Sequence, residues 1–589
     1  MPVQPIDIFT YFNVQRFVQA GSMDAANWYN VEAPGSKYGK SLYPAMGRRH
    51  VVFNGVNQLI FDAQPKYIFR SINFVYVFVG TRVFQFDQSY NVVQISDSIS
   101  LDGIIWFAYL NVVTTTYCMF TDGTNIYVIT EPPSGPPTIQ VCTDTNAPLQ
   151  PTYIAAFGGR FVVASLDSPT FYITQINLGG VPIANPNSWF TIPDAGPGYP
   201  LFAQATGVIR QFGVLNNQMF IFTDFNVDLW ANIPTQIPVI GAPDGIASFP
   251  YKLNTSTNFN VGIYDPSSLA VNFGTMAWLA QNEDGLVTFV MSEGNQPEGI
   301  STQAVNVLLQ GEDNSESISP FTAANGSAFL YQWENSIFYR FVGGVYLSDP
   351  DIDLQDSYNA IEYNFNTKKW NRVIELNGDR NRITKHIYYN GIHYTILDND
   401  TAIYDMRGNV YTNDSQVSFG STTFKTEPMR YELITSQIFQ EDYSEFITDY
   451  IEIDFVYGYM TLPKSIAPFL NTVFITDESG NFIVTESSTP GTETFLIKEG
   501  TNTPSTLDTH YNYLDNPHIE LYFSDDGGIT YSSADVREFS ALGKYSWRMR
   551  WYQLGPSRNR VYKLVCVSPS PIVILGAVHN IRRASGGAN

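Results

Sequence analysis

Seven times between Phe74 and Leu397 the chain repeats one local pattern: an apolar-rich run, a turn of Gly, Asn or Asp, and a second such run. FVYVFVGTRVFQFD begins at Phe74, YCMFTDGTNIYVIT at Tyr117 and AAFGGRFVVAS at Ala155. FGVLNNQMFIFT, MAWLAQNEDGLVTFVM, FLYQWENSIFYRFV and HIYYNGIHYTIL follow from Phe212, Met276, Phe329 and His386. Strand-forming residues on both sides of such a turn specify a β-hairpin. The turns fall near Gly80, Gly123, Gly159, Asn217, Gly285, Asn335 and Gly391, at intervals of roughly 36 to 68 residues, around the length of a four-stranded propeller blade. Helical periodicity is almost absent. The expectation is an all-β chain with an irregular β-propeller of six to eight blades; the uneven spacing leaves a multi-sheet sandwich as the alternative.

After Asp405 the character changes. YELITSQI, the alternating YIEIDFVYGYM, LYFSDDGGITY and YSWRMRWYQLG read as longer strands, and VYKLVCVSPSPIVILGAVHNI reads as a last pair turning at Pro569 and Pro571. These predict a C-terminal antiparallel β-sandwich. The division expected is an extended N-terminal segment over 1–50, a propeller-like domain over 51–410 and the sandwich over 411–589. A Thr/Ser/Gly/Pro-rich, β-rich insertion occupies about 461–517. EPPSGPPTIQVCTDTNAPLQP, from Glu131, reads as a loop, being too proline-rich for a strand.

Charge bounds the function. The formal net charge is −23, against general nucleic-acid binding, which needs clustered Lys and Arg. From Arg537 to Asn589 there are nine Lys/Arg and one acidic residue, leaving 23 basic against 54 acidic residues upstream. A basic C-terminal module thus follows an acidic body. Arg548, Arg550, Arg558 and Arg560 fall at strand ends or between strands, where bidentate pairing with a partner's carboxylates is geometrically easy; a solvated basic face is the plainer reading. Aromatics at 15%, equal to all charged residues together, suit sheets and extensive subunit contacts. Cys118, Cys142 and Cys566 form no CxxC pair and read as free thiols of a chain made in a reducing cytoplasm. MPVQPIDIFTYFNVQRF lacks the layout of a signal peptide, and IIWFAYLNVVTTTYCMF, β-branched and broken by Asn111, reads as sheet, so no membrane span is expected.

The search for chemistry returns little. No HExxH, GxSxG or Walker pattern occurs. His386 and His393 flank a hairpin turn and read as a polar pair at a loop end. Asp349, Asp351, Asp353 and Asp356 share a loop as calcium ligands do, but Leu354 and Ala360 stand where an EF-hand needs Gly and Glu, so an acidic solvated loop is the plainer reading. Ser524-x-Asp526-x-Gly528-x-Thr530-Tyr531 fits the Asp-box of sialidase propellers. Its local chemistry is sufficient without a substrate: Gly527 and Gly528 accept φ > 0, Asp526 can hold the turn's N–H groups, and Leu521, Phe523, Ile529 and Tyr531 alternate as two strand arms. No catalytic site, cofactor or metal is expected.

In their order along the chain, several landmarks resemble the tail hub family of short-tailed (podovirus) bacteriophages, also called packaged-DNA stabilisation proteins or tail accessory factors. These are Asp24–Asn30, Leu42-Tyr43-Pro44 and Gly47, Gly159-Arg160-Phe161, Val214–Phe222 with Leu229-Trp230, Ile300-Ser301-Thr302, and Ile361–Trp370. The C-terminal set is the most specific: Gly527-Gly528-Ile529, Gly543, Arg548, Trp551, Gly555, Lys563, Pro571 and Gly576. The resemblance implies a non-enzymatic virion component, assembled in the host cytoplasm as a ring, usually a homohexamer, below the portal and adaptor rings. Such a hub extends the DNA channel, helps retain packaged DNA, lets double-stranded DNA pass without specific binding, and holds needle, spike or fibre proteins. An acidic wall would suit that passage, since carboxylates repel a duplex where Lys/Arg rings would trap it. The alternative is a propeller-type glycan-binding protein or glycoside hydrolase, for which the Asp-box and abundant Tyr and Trp speak; a generic interaction scaffold is the third reading.

Overall fold

The computed structural model describes residues 4–13, 22–32, 39–53, 57–99, 105–112, 114–175, 190, 202–238, 246–294, 296–310, 322–344, 360–378, 381–408, 410–440, 443–457, 484–485, 494–495, 518–539 and 546–583. Each of the seven hairpins falls within one blade, as its two middle strands in blades 1, 2 and 5 and as its first two strands in blades 3, 4, 6 and 7. Blade 1 is Pro65–Arg70, Val75–Val79, Arg82–Phe86 and Val92–Ser96; blade 2 is Trp106–Val112, Thr115–Thr121, Ile126–Glu131 and Thr138–Val141. Blade 3 is Pro151–Phe157, Arg160–Ser165, Thr170–Ile173 and Phe202–Gln204; blade 4 is Ile209–Leu215, Gln218–Thr223, Val227–Ala231 and Lys252–Phe259. In blade 5, Gly262–Ile263 and Ala270–Asn272 both pair with Thr275–Gln281, followed by Val287–Ser292 and Glu298–Gly299. Blade 6 is Thr322–Trp333, Ser336–Gly344, Ala360–Asn364 and Lys369–Arg372. Blade 7 takes Ile383–Tyr389, Ile392–Leu397 and Ile403–Arg407 from this region and its fourth strand, Gly47–His50, from the N-terminal part of the chain.

Strand alternation explains the packing. Each blade presents one set of apolar side chains to the blade before it and the other set to the blade after it, so both faces are buried. Val75, Val77 and Val79 of blade 1 meet Tyr394, Ile396 and Ile403 of blade 7, while Tyr76 and Phe78 meet Cys118 and Phe120 of blade 2. Met119 faces Phe161 and Val163; Phe171 faces Phe212 and Ile221; Phe222 faces Trp278; Phe289 faces Tyr339 and Trp370; Phe338 faces Leu397 and Tyr404. Seven inter-blade cores close the ring.

The C-terminal region is a two-sheet sandwich. One sheet runs Trp28–Glu32, Lys40–Pro44, Ile572–Arg583, Phe446–Tyr457 and Ser546–Ser557, with Gln4–Ile6 also on Ile572–Arg583. The other sets Phe424–Ile434 between Asp24–Ala26 and Val561–Ser568, and continues through His518–Ser524 to Asp535–Glu538. Trp28, Tyr431, Leu433, Ile451, Ile453, Trp551 and Ile574 fill the space between them.

Four expectations change. Residues 1–50 are not an extended segment: Ile6, Trp28 and Leu42 are buried in the sandwich core, and Gly47–His50 completes blade 7. Val561–Ser568 and Ile572–Arg583 do not pair; the turn through Pro569 and Pro571 carries the chain from one sheet to the other. Thr138–Val141, inside the proline-rich stretch, is the outer strand of blade 2, because no proline falls between Pro137 and Pro148 and an edge strand needs only one ladder. The Asp-box has one strand arm, not two, for a reason taken up below. The Asp349, Asp351, Asp353 and Asp356 loop lies outside the described residues, as does the 461–517 insertion save for the pair Val484–Thr485 and Thr494–Phe495.

Blades 6 and 7 are sewn to the sandwich. Asp24–Ala26 touches Lys369–Arg372 of blade 6, and Thr412–Gln416 lies between Gly47–His50 of blade 7 and Phe424–Ile434. The approach is close: a Cβ on Gly47 would meet the Thr412 carbonyl oxygen at 2.3 Å. Arg48 donates to both oxygens of Glu375 at 2.7 and 2.9 Å and to the Asp414 carbonyl at 3.0 Å, all buried. Arg372 bridges Asp24 and Glu432, and Asn27 donates to the carbonyls of Ile374 and Arg430, each at 2.7 Å.

Candidate functional sites: the arginine face, the Asp-box and the propeller axis

The four C-terminal arginines do not form one surface. Arg548 and Arg550 project from Ser546–Ser557, opposite Asp454 and Glu452 of Phe446–Tyr457. Cross-strand opposition makes them pair within the sheet: Arg548 Nε lies 2.8 Å from Asp454 and 3.0 Å from Glu452, and Arg550 pairs with Glu452 while covering the Tyr450 ring at 5.2 Å. Arg582 pairs with Asp449 at 3.0 Å on the same sheet. Arg560 is no surface residue at all. It is fully buried, with Nε donating to Asp525 at 2.7 Å, Nη2 to the Pro556 carbonyl at 3.3 Å, and its guanidinium over the Phe523 ring at 4.6 Å. Arg558 is exposed and has no ion pair among the described residues. Four of the nine basic residues from Arg537 on, Arg548, Arg550, Arg560 and Arg582, are thus paired with carboxylates that sequence distance conceals.

The Asp-box closes on itself. Asp526 Oδ1 accepts from Ile529 N and Thr530 N at 3.0 Å, Oδ2 from Thr530 Oγ1 at 2.6 Å, and Ser524 Oγ donates to Oδ1 at 2.6 Å. Gly528 N donates to Ser524 Oγ at 2.8 Å, with Gly527 and Gly528 at φ of 79° and 101°. Bonds from Ser524, then Thr530 and the Ile529 amide, hold the Asp526 carboxyl far below its ordinary range. A carboxylate that collects two amides and two hydroxyls winds Ile529 and Thr530 around itself, so the second arm starts only at Asp535, opposite Leu521. No oxygen of Asp526 is left over for chemistry.

Polar side chains also join neighbouring blades of the propeller. The inner strand of blade 5 is interrupted by Asp265 and a 3₁₀ turn, Pro266–Ser268, whose first N–H Asp265 caps. Gln211 Nε2 of blade 4 donates to the Pro266 carbonyl at 3.3 Å, and Tyr339 Oη of blade 6 to the Ser268 carbonyl at 2.8 Å. Lys385 of blade 7 reaches in over the Tyr67 ring of blade 1 at 5.7 Å. Burial pulls its ammonium down to about 8 although Asp265 opposes the shift; burial likewise raises the Asp265 carboxyl. These contacts join blades 4 and 6 to blade 5, and blade 7 to blade 1.

His386 and His393, expected as a polar pair at a loop end, instead meet in the seam between blades 6 and 7, with His386 Nε2 2.9 Å from His393 Nδ1. Sequence reasoning missed this because register, not turn position, decides that both rings leave the same face. Among the described residues no cluster of three or more His, Cys, Asp or Glu is arranged to hold a metal. Cys118 and Cys566 are buried, Cys142 is half-buried, and none of the three is in a disulfide. No described helix is long and apolar enough to cross a membrane.

No protein-family model and no curated protein matches the chain. Similar solved structures are β-propellers. The N-terminal domain of Nup159 is 6% identical, covering 62% of this chain and 94% of its own, at a TM-score of 0.30. Kluyveromyces lactis Hsv2p is 10% identical over 59% and 96%, at 0.25, and the Myceliophteria thermophila Cps50 (Swd1) propeller domain 8% identical over 48% and 95%, at 0.24. Scores this low carry no functional weight.

Proposed function

We propose that the chain is a structural virion protein of a short-tailed bacteriophage: a tail hub that assembles as a ring, with six copies the expected number, beneath the portal and adaptor. The ordered landmarks from Asp24 to Gly576 carry this reading. Its support in physical terms is that the polar side chains singled out are spent on holding sheets together. Asp526 is saturated by its own turn, Arg560 is buried against Asp525, and Arg548 and Arg550 are paired in their own sheet. Such a chain is a scaffold rather than a catalyst.

The reading also constrains the DNA path. The duplex is placed outside the propeller, whose neighbouring blades are tied by buried contacts such as Gln211 to the Pro266 carbonyl and Lys385 over the Tyr67 ring. Any channel lies between copies, walled by the outside of the protein. Twenty-three basic against 54 acidic residues before Arg537 would make that wall net negative, so that DNA slides without binding and is retained by a distal plug. Arg558 is the arginine left to meet an acidic partner such as an adaptor, needle, spike or fibre protein.

Electron microscopy of the purified chain and of particles carrying a tagged copy tests the proposal. Rings and tail-end labelling are expected. A monomer at micromolar concentration that never labels particles would end it. One observation favours a second reading, a glycan-binding protein: Phe439 and Tyr443 stack at 5.5 Å and 6° while more than half exposed, as sugar platforms do. Tyr443→Ser abolishing retention on a host polysaccharide would favour that reading over the hub.

A further inference from the structure

The seam between blades 6 and 7 contains two imidazoles that face each other in a partly closed space. His386 lies opposite Thr395 and His393 opposite Tyr388, so both leave adjacent strands of blade 7 on the face turned to blade 6. Phe329 of blade 6 stacks on His386 at 4.3 Å and 19°, Tyr331 meets His393 edge-on at 6.0 Å, and Tyr388 lies 4.8 Å from His393. The charged groups facing the pair come from blade 6. Arg340 is buried 2.7 Å from Glu362, and Tyr331 Oη also donates to Glu362, so that carboxylate is already engaged. Tyr29, from the N-terminal sandwich strand, donates to Glu334 at the end of the same blade.

Proton counting follows from this geometry. At 2.9 Å one facing nitrogen donates and the other must accept. A first added proton can still be held in the N–H···N bond, but it lands beside the Arg340 guanidinium. A second cannot be held, because both nitrogens would then be donors pointing at each other. We propose that this seam is an acid-sensitive joint: the two imidazoles cannot both be charged while blades 6 and 7 stay packed, and below about pH 6, where exposed histidines charge, the joint opens locally. The inference goes beyond the hub reading and holds for the fold whether or not that reading does.

The sign and size are open to measurement. Burial, then His393 and Arg340, pushes His386 far below the ordinary imidazole range, and burial brings His393 down to about 4. Groups depressed on folding are stabilising above their unfolded pKa, near 6.5, and lose that contribution as pH falls toward the folded value. For His393 alone, a drop to pH 5 favours the open state by about 30-fold.

Hydrogen exchange of the full chain, corrected for intrinsic rates, should show strands Ile383–Tyr389, Ile392–Leu397 and Ser336–Gly344 exchanging at least ten-fold faster at pH 5 than at pH 7.5, with blade 2, which has no histidine, unchanged. The His386→Gln/His393→Gln variant should lose that pH dependence. No acceleration in the parent, or the same acceleration in the variant, overturns the proposal. Should the variant not fold, exchange at the imidazole C2 positions of the parent decides alone: both histidines titrating near 6.5 refutes the joint, and both titrating well below it supports it.

Discussion

Replacing Arg48 with Met should cost the protein about 3–4 kcal/mol at pH 7, and the structure says why. Arg48 sits on the strand that closes the propeller, and its guanidinium joins that strand to Glu375, just past blade 6, and to Asp414 of the strand that leads into the sandwich. Removing one partner of a buried ion pair costs about 3–5 kcal/mol, mostly because the survivor stays charged in a dry place. Glu375 would keep Asn381 Nδ2, Arg382 N and Asn413 Nδ2 at 3.2–3.3 Å, which places the cost toward the low end. Removing both charges in Arg48→Met/Glu375→Leu should cost less than Arg48→Met alone, since no charge is stranded. Burial raises the Glu375 carboxyl, but Arg48 and then the Arg382 amide more than offset it, leaving it below its ordinary value of 4.5. A depressed carboxylate is stabilising above that value and ceases to be as pH falls through the folded one. The gap between parent and Arg48→Met should therefore narrow under strongly acid conditions. Urea unfolding of parent, both single variants and the double variant supplies the cycle. A single-variant cost under about 1 kcal/mol, or additivity of the two, would refute the reasoning.

Other expectations follow from single sites. Asp526→Ala should free the amides of Ile529 and Thr530, raise hydrogen exchange across 523–532 and leave the propeller strands unchanged. Because the Asp526 carboxyl is held so low, the parent's turn should keep its protection down to strongly acid pH. Gly47→Ala, which drives a Cβ into the Thr412 backbone, should lower stability by about 1–3 kcal/mol and loosen blade 7 first, seen by proteolysis on the 407–424 side. Native alkylation at pH 8 should modify Cys142 slowly and spare the fully buried Cys118 and Cys566, since burial raises the Cys142 thiol to about 11 and also pushes the other two well above the ordinary thiol range.

How much of this was legible beforehand follows from the range of the interactions involved. The seven hairpins could be read because a two-strand unit is specified locally; Gly80, Asn217 and Gly391 all adopt the positive φ that their turns demand. The expected range of six to eight blades followed from that, and seven are found among the described residues. Closure could not, because it depends on Gly47 meeting Arg407, residues separated by almost the whole propeller. The same range effect misplaced the arginines. Arg548 and Asp454 are distant in sequence and directly opposed in the sheet, while Arg560 is basic by composition but buried by its bond to Asp525. The Asp-box was legible as a turn and misread as two strands, because side-chain capture of amides competes with the ladder and here wins.

The mode of closure bears on what the fold can do. Most of the chain's length could rotate as a separate propeller if it met the sandwich only through a linker. Instead the closing strand Gly47–His50 is flanked on one side by Ile403–Arg407 and on the other by Thr412–Gln416, and Asp24–Ala26 touches blade 6 while pairing with the central sandwich strand. Swinging the sandwich away would expose the Arg48–Glu375 and Arg372–Asp24–Glu432 groups to the cost of stranded buried charge. The two domains are therefore coupled at blades 6 and 7, and at no other blade does a sandwich strand pair among the described residues. A load applied to the sandwich reaches the propeller at the pair of blades that also holds the histidine seam, so the place where the ring is most firmly anchored is the place where acid would open it.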